Sequence, residues 1–383
     1  MKCTLMNKNT KIFDFEIDYD YNIINIYDIY NIEYAPYMLL SFSDFIDLIH
    51  KTNEWFNKRS IPSWRKQLQS LFEKLNVKSS EELVSKSYGL SLSDQYWFKE
   101  YNSDIKWENI NFFTNDFEYE AYFDASLGIS SNSSSKISLY SPNNTTDGMI
   151  QKAWIIDNKK RYLLKGSYGR LNIEPINEWL ASEIARRMGF DYCNYEITIY
   201  KDLLVSKCEC FINECEELIP ASQIFNNDKK SNNETDFGYY VRIIKKHGIE
   251  NAEQKLKEMF LIDYLIGNYD RHLNNFGIIR NVETLKWERT APIFDSGSSM
   301  CSNAKNVEEI NLENTVCKFF TNTEMNTNDL YNYLNLNKFD LSPLKGLDLE
   351  YKKMLKKYQK YTMIIDEVID KLSLELSKRI NNK

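Results

Sequence analysis

One stretch limits this chain more than any other: YLIGNYDRHLNNFGIIRNVETLKWERTAPIFDSGSS, residues 264–299. Asp270, His272 and Asn275 follow directly on an apolar segment, and Asp295 arrives after two strand-like runs. A chain folded this way brings a carboxylate, an amide and a second carboxylate to one pocket. Oxygen donors of this kind suit a hard divalent cation and the phosphates beside it. The stretch is a nucleotide–magnesium site in outline.

Phosphoryl transfer needs charge neutralised on the moving group and an acceptor hydroxyl held in line by a nearby carboxylate. Asn275 and Asp295 can supply metal-binding oxygens. Asp270 stands five positions before Asn275, the spacing that protein-kinase catalytic loops use between the hydroxyl-orienting Asp and the metal-binding Asn. Three roles stay open for His272: general base, metal ligand, or hydrogen-bonding brace of the loop. The brace is favoured, because the reaction depends mainly on positioning and Asp270 already orients the hydroxyl.

Composition narrows the class. With 383 residues, 43% of them apolar, the chain is long enough for roughly two or three domains with a sizeable core. A net charge of -7 and a pI near 5.4, with no basic block, give no direct nucleic-acid binding, which needs a concentrated basic surface. Seven cysteines, none in a C-x-x-C pair, read as reduced residues of a cytosolic protein. Cys208, Cys210 and Cys215 lie close together but lack a fourth ligand at zinc-finger spacing. With only His50, His247 and His272 in the chain, a multi-histidine metal site is poorly supplied. The opening MKCTLMNKNTKIFDF lacks the apolar run of a signal peptide, and no segment has the length of a membrane span. The expectation is a cytoplasmic protein with no membrane association.

Along the chain, residues 1–120 read as an accessory α+β domain. Strands are expected at 11–17 and 21–29, helices at 42–56 and 63–75, and a capping box at Ser79 and Glu82 before a helix that Gly89 can end. Tyr96, Trp97, Phe98, Trp107, Phe112, Phe113 and Phe117 are expected in a core. A polar linker covers 128–136. Strands are expected at 137–140, 153–156, 161–165, 195–200 and 203–208, and a helix at 175–188 closed by Gly189. The remainder is mostly helical, with a helix at 253–266 and short strands within 285–294. Met354, Tyr358, Tyr361, Ile365, Val368, Leu372 and Leu376 predict one long amphipathic helix at the end.

Thr145, Thr146, Asp147 and Gly148 lie between two strand signals, with Lys152 close behind. Alone they are an ordinary hairpin turn. Beside a nucleotide, the glycine lets backbone N–H groups approach phosphate oxygens. Lys165 ends a buried strand, either as a solvated terminus or as the cation that holds phosphates and pairs with a helix glutamate. Glu178 and Glu183, both in NEWLASEIARRMG, compete for that pairing.

Together YLIGNYDRHLNNF, APIFDSGSS, NEWLASEIARRMGF, RYLLKG and TTDGMIQKAW resemble the HipA-like serine/threonine kinase family, which carries a G-x-x-D-x-H-x-x-N-F loop and a Y-D or F-D metal motif. The match covers residues 137–320. The resemblance implies an α+β, bilobal protein-kinase-like fold: a β-containing N-lobe at 121–210, a mostly helical C-lobe at 211–383, and an additional N-terminal α/β region at 1–120. It implies an ATP- and Mg²⁺-dependent serine/threonine protein kinase. Asp270, with His272 beside it, then corresponds to the catalytic group, and Asn275 and Asp295 to the Mg²⁺ ligands. Lys165 corresponds to the nucleotide-phosphate lysine and Glu178 to its partner.

On the same resemblance, Thr146, Asp147, Gly148, Met149, Gln151 and Lys152 form the phosphate loop, and Ser206, Lys207 and Cys208 the hinge that receives adenine. Thr145 is the nearest equivalent of a serine that some members autophosphorylate, with Thr146 the other choice. Two features depart from the family. Gln151 is displaced by one position from G-x-Q-x-K, and residues 1–120 do not match the small N-terminal subdomain of the founding toxin. Members act as toxins paired with a DNA-binding antitoxin, some phosphorylating aminoacyl-tRNA synthetases. The partners implied here are an unidentified protein substrate and a helix-turn-helix antitoxin.

The alternatives are a lipid or small-molecule kinase of the same fold, a catalytically silent nucleotide-binding module, and a metallohydrolase using Asp270, His272 and Asp295. Lack of a basic membrane-docking face disfavours the lipid kinase. The intact acidic set disfavours the silent module.

Overall fold

β1 (Lys2–Asn7) and β2 (Thr10–Ile17) form a hairpin turned at Lys8, which takes the left-handed backbone at φ 49. The computed structural model describes residues 1–61, 69, 72–73, 76–119, 139–145, 151–225, 227, 230–320 and 324–381. Within these the chain is a mixed α and β protein of two compact units. One comprises Met1–Leu163, Cys210–Lys229 and Ile278–Arg289, the other Leu164–Glu209, Lys230–Gly277 and Thr290–Lys383.

In the first unit β3 (Ile23–Ile29) joins β2 and β4 (Tyr96–Glu100) joins β1, giving an antiparallel sheet of order β3-β2-β1-β4. Successive side chains alternate across the pleat. Leu5 and Phe98 enter one apolar cluster with Phe13, Phe15, Trp55 and Phe56, while Met6 and Trp97 enter another with Trp107, Phe112 and Phe117. The aromatic run thus forms core on both faces of one sheet, each buried ring adding roughly 1.5–3 kcal/mol. Helix α1 (Phe45–Lys58), capped by Asp44 accepting from the Asp47 N–H, supplies Trp55 and Phe56. Ser79 accepts from the Glu82 N–H at 3.2 Å, and Glu82 reaches back to the Lys78 N–H at 2.8 Å rather than to that of Ser79.

A second sheet in this unit orders strands Trp287–Thr290, Gly277–Asn281 and Glu216–Pro220. Arg280 on its middle strand is buried against Glu217, the Tyr96 hydroxyl at 2.9 Å and the Ala35 carbonyl at 3.0 Å, which ties the two sheets together. Only 287–290 of the expected 285–294 segment is strand. Its partner GIIRN was missed, because a short apolar run after a polar loop carries no readable period. β5 (Lys152–Asp157) and β6 (Lys160–Lys165) are joined by Asn158 and Lys159, both at positive φ as a type I′ turn requires. The expected helix at 63–75 falls mostly outside the described residues, as do the linker at 128–136 and the start of the expected strand at 137–140. Leu139 and Tyr140 are not in a strand, and a 3₁₀ turn follows at Pro142–Thr145.

The second unit begins with helix α2 (Glu174–Met188), which has Pro175 in its first turn and closes on Gly189 at φ 69. Nothing lies within 4 Å of where a Gly189 side chain would start. Gly189→Ala is therefore expected to cost about 1–2 kcal/mol from backbone conformation alone, read by urea unfolding. A change near zero would mean that the turn relaxes. β7 (Tyr195–Tyr200) and β8 (Leu203–Glu209) pair from Tyr195 opposite Cys208 to Tyr200 opposite Leu203.

Helix α3 (Asp236–Lys246) is capped by Thr235, and α4 (Ala252–Ile266) buries Leu256, Met259, Phe260, Leu261, Ile262, Leu265 and Ile266. Its first half keeps Glu253, Gln254, Lys255 and Lys257 out of the core, while the second half, from Glu258 to Ile266, is buried on nearly every side, as a helix end inside a core should be. The single long terminal helix expected from apolar spacing is two helices, Leu347–Tyr358 and Asp366–Asn381. Between them Thr362 is extended, and its N–H and hydroxyl both bond the Gln359 carbonyl. Met363 and Ile365 point outward, and the two helices pack on each other. Periodicity could not see the reversal, because the apolar spacing continues through it. None of the seven cysteines is in a disulfide. No helix among the described residues is long and apolar enough to cross a membrane.

Candidate active site

Lys165, the last residue of β6, is 2% exposed, and its Nζ bonds both Glu178 Oε1 and Asp295 Oδ1. Burial opposes the ammonium charge, but the carboxylates of Asp295 and Glu178 outweigh it and push the lysine pKa up, so the residue stays charged. The Tyr195 ring lies beside it, 5.4 Å from Nζ to the ring centroid. Glu178 is the glutamate that takes this pairing. Glu183 instead bonds Arg186 and Arg187 on its own helix.

The segment carrying Asp295 is held to α2 from several sides. Glu178 Oε2 accepts from the Ser296 N–H at 3.0 Å, and the buried Asn177 amide donates to the carbonyls of Gly297 (3.1 Å) and Ser299 (2.8 Å). The Tyr351 hydroxyl donates to Asn177 Oδ1 at 2.8 Å. A side chain at Gly297 would begin 3.2 Å from the Glu174 carbonyl and from Glu178, so the bare backbone permits the close approach. Asp295 itself sits at φ 56, a costly conformation for a non-glycine residue, and its N–H donates to the Tyr195 hydroxyl at 3.2 Å.

Arg271 is the hub of the loop before it. Fully buried, it makes a two-pronged pair with Asp263 of α4, with both bonds at 2.9 Å. Its Nη1 donates to the Asn275 carbonyl (2.9 Å) and the Phe294 carbonyl (2.5 Å), and its Nη2 to Ser296 Oγ (2.8 Å). One guanidinium thus ties the backbone of Asn275 to that of Phe294, the residue before Asp295. The Asn275 amide nitrogen donates to the Asp270 carbonyl at 2.9 Å, which leaves Oδ1 as the atom available to a cation. Asp270 and His272 form a tight turn, with the His272 N–H on the Asp270 carbonyl (2.8 Å) and the His272 carbonyl accepting from Asn275 (2.9 Å). His272 Nδ1 accepts from the Asn274 N–H at 3.3 Å. Asp270 Oδ1 accepts from Lys318 Nζ at 2.6 Å.

The structure therefore brings Lys165, Glu178 and Asp295 into one cluster, and Asp270, His272 and Asn275 into one loop stitched to it by Arg271. Ser206, Lys207 and Cys208 lie inside β8, opposite Ile197, Glu196 and Tyr195, with the Ser206 hydroxyl fully buried. Thr145, Gln151 and Lys152 belong to the first unit. Thr145 Oγ1 donates to the carbonyls of Leu90 (3.0 Å) and Pro142 (3.1 Å). Thr146, Asp147, Gly148 and Met149 lie outside the described residues.

Arg271, Asn177, Tyr195 and Lys318 were missed by sequence reasoning. Asp263 held the one usable signal: a carboxylate inside an otherwise apolar helix must find a charged partner. The Asp295 carboxylate and the Asn275 amide oxygen are hard donors. They fit Mg²⁺, which takes one or two protein carboxylates and fills its shell with phosphate oxygens and water.

The serine/threonine-protein kinase CtkA of Helicobacter pylori is 30% identical over 137 residues, 34% of this chain and 42% of that protein. The chain thus spans less than half the length of that relative. The crystal structure of the H. pylori proinflammatory kinase CtkA aligns over 60% of this chain and 89% of its own, at 23% identity and a TM-score of 0.47. HipA of Shewanella oneidensis MR-1, solved as a toxin–antitoxin complex with HipB and operator DNA, aligns over 99% of this chain and 96% of its own, at 13% identity and a TM-score of 0.58. That likeness extends the shared fold over nearly the whole chain. The family model of the HipA-like C-terminal domain matches residues 144–373, and the chain belongs to that family.

Proposed function

We propose that the chain is an ATP- and Mg²⁺-dependent serine/threonine protein kinase of bilobal HipA-like architecture. The observation that carries this reading is Lys165, buried and bonded at once to Glu178 of α2 and to Asp295. Burying a lysine and a glutamate together is a poor way to gain stability, since desolvation consumes much of the Coulombic gain. A lysine that must hold nucleotide phosphates and pair with a helix glutamate has a reason to be there. In this reading Asp270 orients the acceptor hydroxyl, Lys165 takes phosphate oxygens, and Asn275 and Asp295 hold the metal. Mg²⁺, when bound, neutralises charge on the β- and γ-phosphates.

The proposal includes residues 146–152 as the loop over the phosphates and 206–208 as the adenine hinge. Thr145 is proposed as the autophosphorylated residue, once its hydroxyl leaves the Leu90 and Pro142 carbonyls. Likeness to a HipA solved with HipB and operator DNA supports a helix-turn-helix antitoxin partner, alongside an unidentified protein substrate in the cytoplasm. The test is incubation with labelled ATP, Mg²⁺ and total cellular protein. Label should appear on protein, and its absence at saturating ATP and Mg²⁺ rejects the reading.

His272 braces the loop through its backbone bonds and through Nδ1 on the Asn274 N–H, so His272→Gln should keep turnover within about tenfold of the original, the cost of a modest shift in positioning. Complete inactivity of a folded His272→Gln chain would give the ring a direct part in the chemistry.

A further inference from the structure

Lys318 Nζ stands 2.6 Å from Asp270 Oδ1, although 48 residues separate them in sequence. Each side chain is 36% exposed. An ion pair this open adds little to stability, so folding alone gives a weak reason for it. What holds the lysine there is more telling.

Lys318 ends a short strand, Val316–Lys318, which pairs with Glu324–Asn326 so that buried Cys317 lies opposite Met325. The next two residues anchor that strand to the catalytic loop. Phe320 is buried at φ 60, a conformation that a bulky side chain adopts only when packing enforces it. Its ring centroid lies 5.4 Å from that of Phe276, which directly follows Asn275, and 5.5 Å from that of Tyr240. Phe319 packs 5.0 Å from Phe260 of α4. One aromatic cluster therefore clamps both the lysine-bearing strand and the loop that carries Asp270 and Asn275.

We infer that Lys318 is the positioning residue of Asp270. The inference rests on the kinase reading above and adds a residue to that site. The ammonium occupies Oδ1 and leaves Oδ2 to the acceptor hydroxyl. In the transfer, the hydroxyl oxygen forms a bond to the γ-phosphorus, and the bond from that phosphorus to the β–γ bridging oxygen breaks, its electron pair leaving with ADP. The hydroxyl proton passes to Asp270. Lys318 fixes the carboxylate in line and places a positive charge beside the reacting groups.

The experiment compares the full chain with Lys318→Met and Lys318→Arg, using labelled ATP and heat-treated cellular protein as acceptor. Thermal unfolding and nucleotide affinity are measured in parallel. The expected result for Lys318→Met is an unchanged unfolding midpoint, an unchanged KM for ATP and a kcat lower by about 10²-fold, the scale of a misplaced reacting group. Lys318→Arg should recover most of the loss. Transfer by Lys318→Met equal to or faster than the original overturns the inference, and a faster rate would make the lysine a plug on Asp270. A loss of kcat matched by a lowered unfolding midpoint, or a loss that arginine does not recover, also overturns it. No transfer by the unmodified chain rejects the kinase reading itself, and this inference with it.

Discussion

Arg271→Met should destabilise the second unit by about 3–5 kcal/mol, the range for removing one partner of a buried ion pair. Methionine fills much of the same space, so the loss comes from charge and hydrogen bonding rather than from a cavity. Among the described residues, the buried Asp263 would keep the Asn268 side chain, 2.8 Å away, as its side-chain partner. The carbonyls of Asn275 and Phe294 and the Ser296 hydroxyl would each lose a donor. Arg271→Lys keeps the charge but cannot reproduce the two-pronged pair, so it should fall between the two. Urea unfolding monitored by tryptophan fluorescence measures all three chains. A loss below about 1 kcal/mol, the typical net worth of a single hydrogen bond, would show that Arg271 is not the hub described.

Asp270→Asn should lower kcat by about 10²–10⁴-fold, the usual contribution of a positioned general base. The amide keeps the shape of the carboxylate but loses the charge that, in the proposed reaction, orients the acceptor and receives its proton. Because Lys165, Asn275 and Asp295 are untouched, nucleotide affinity should change little, and the loss should appear in kcat rather than in KM for ATP. Stability should hold, since the pair that Asp270 forms with Lys318 is partly exposed. Steady-state kinetics with labelled ATP decides the matter. Label transfer undiminished in the Asp270→Asn chain would remove Asp270 from the reaction.

Legibility followed distance along the chain. Asp270, His272 and Asn275 lie within six residues, so their spacing was readable directly. Lys165 and Glu178 are 13 residues apart, a loop and the first turns of α2; residue type and position left Glu178 and Glu183 both open, and the family resemblance named Glu178. Lys318 and Asn177 could not be found this way. A lysine ending a short strand and an asparagine inside a helix look like any other until the chain folds a carboxylate or two carbonyls against them. The terminal helices failed for a related reason. A period of three and four residues reports which side is apolar and is silent about a reversal that keeps the spacing.

The amino-acid order alone determined the local chemistry: which groups can ligate a cation, which glycines end helices, and which family the motifs belong to. These follow from short-range spacing and residue type, both of which survive in an unfolded chain. Only the tertiary structure decided that Arg271 ties the backbone of Asn275 to that of Phe294, just before Asp295, and that an aromatic clamp sets Lys318 against Asp270. Both depend on burial, of the Arg271 charge in one case and of the Phe320 ring in the other. A charge shut away from water must find a partner, and the fold decides which one is within reach.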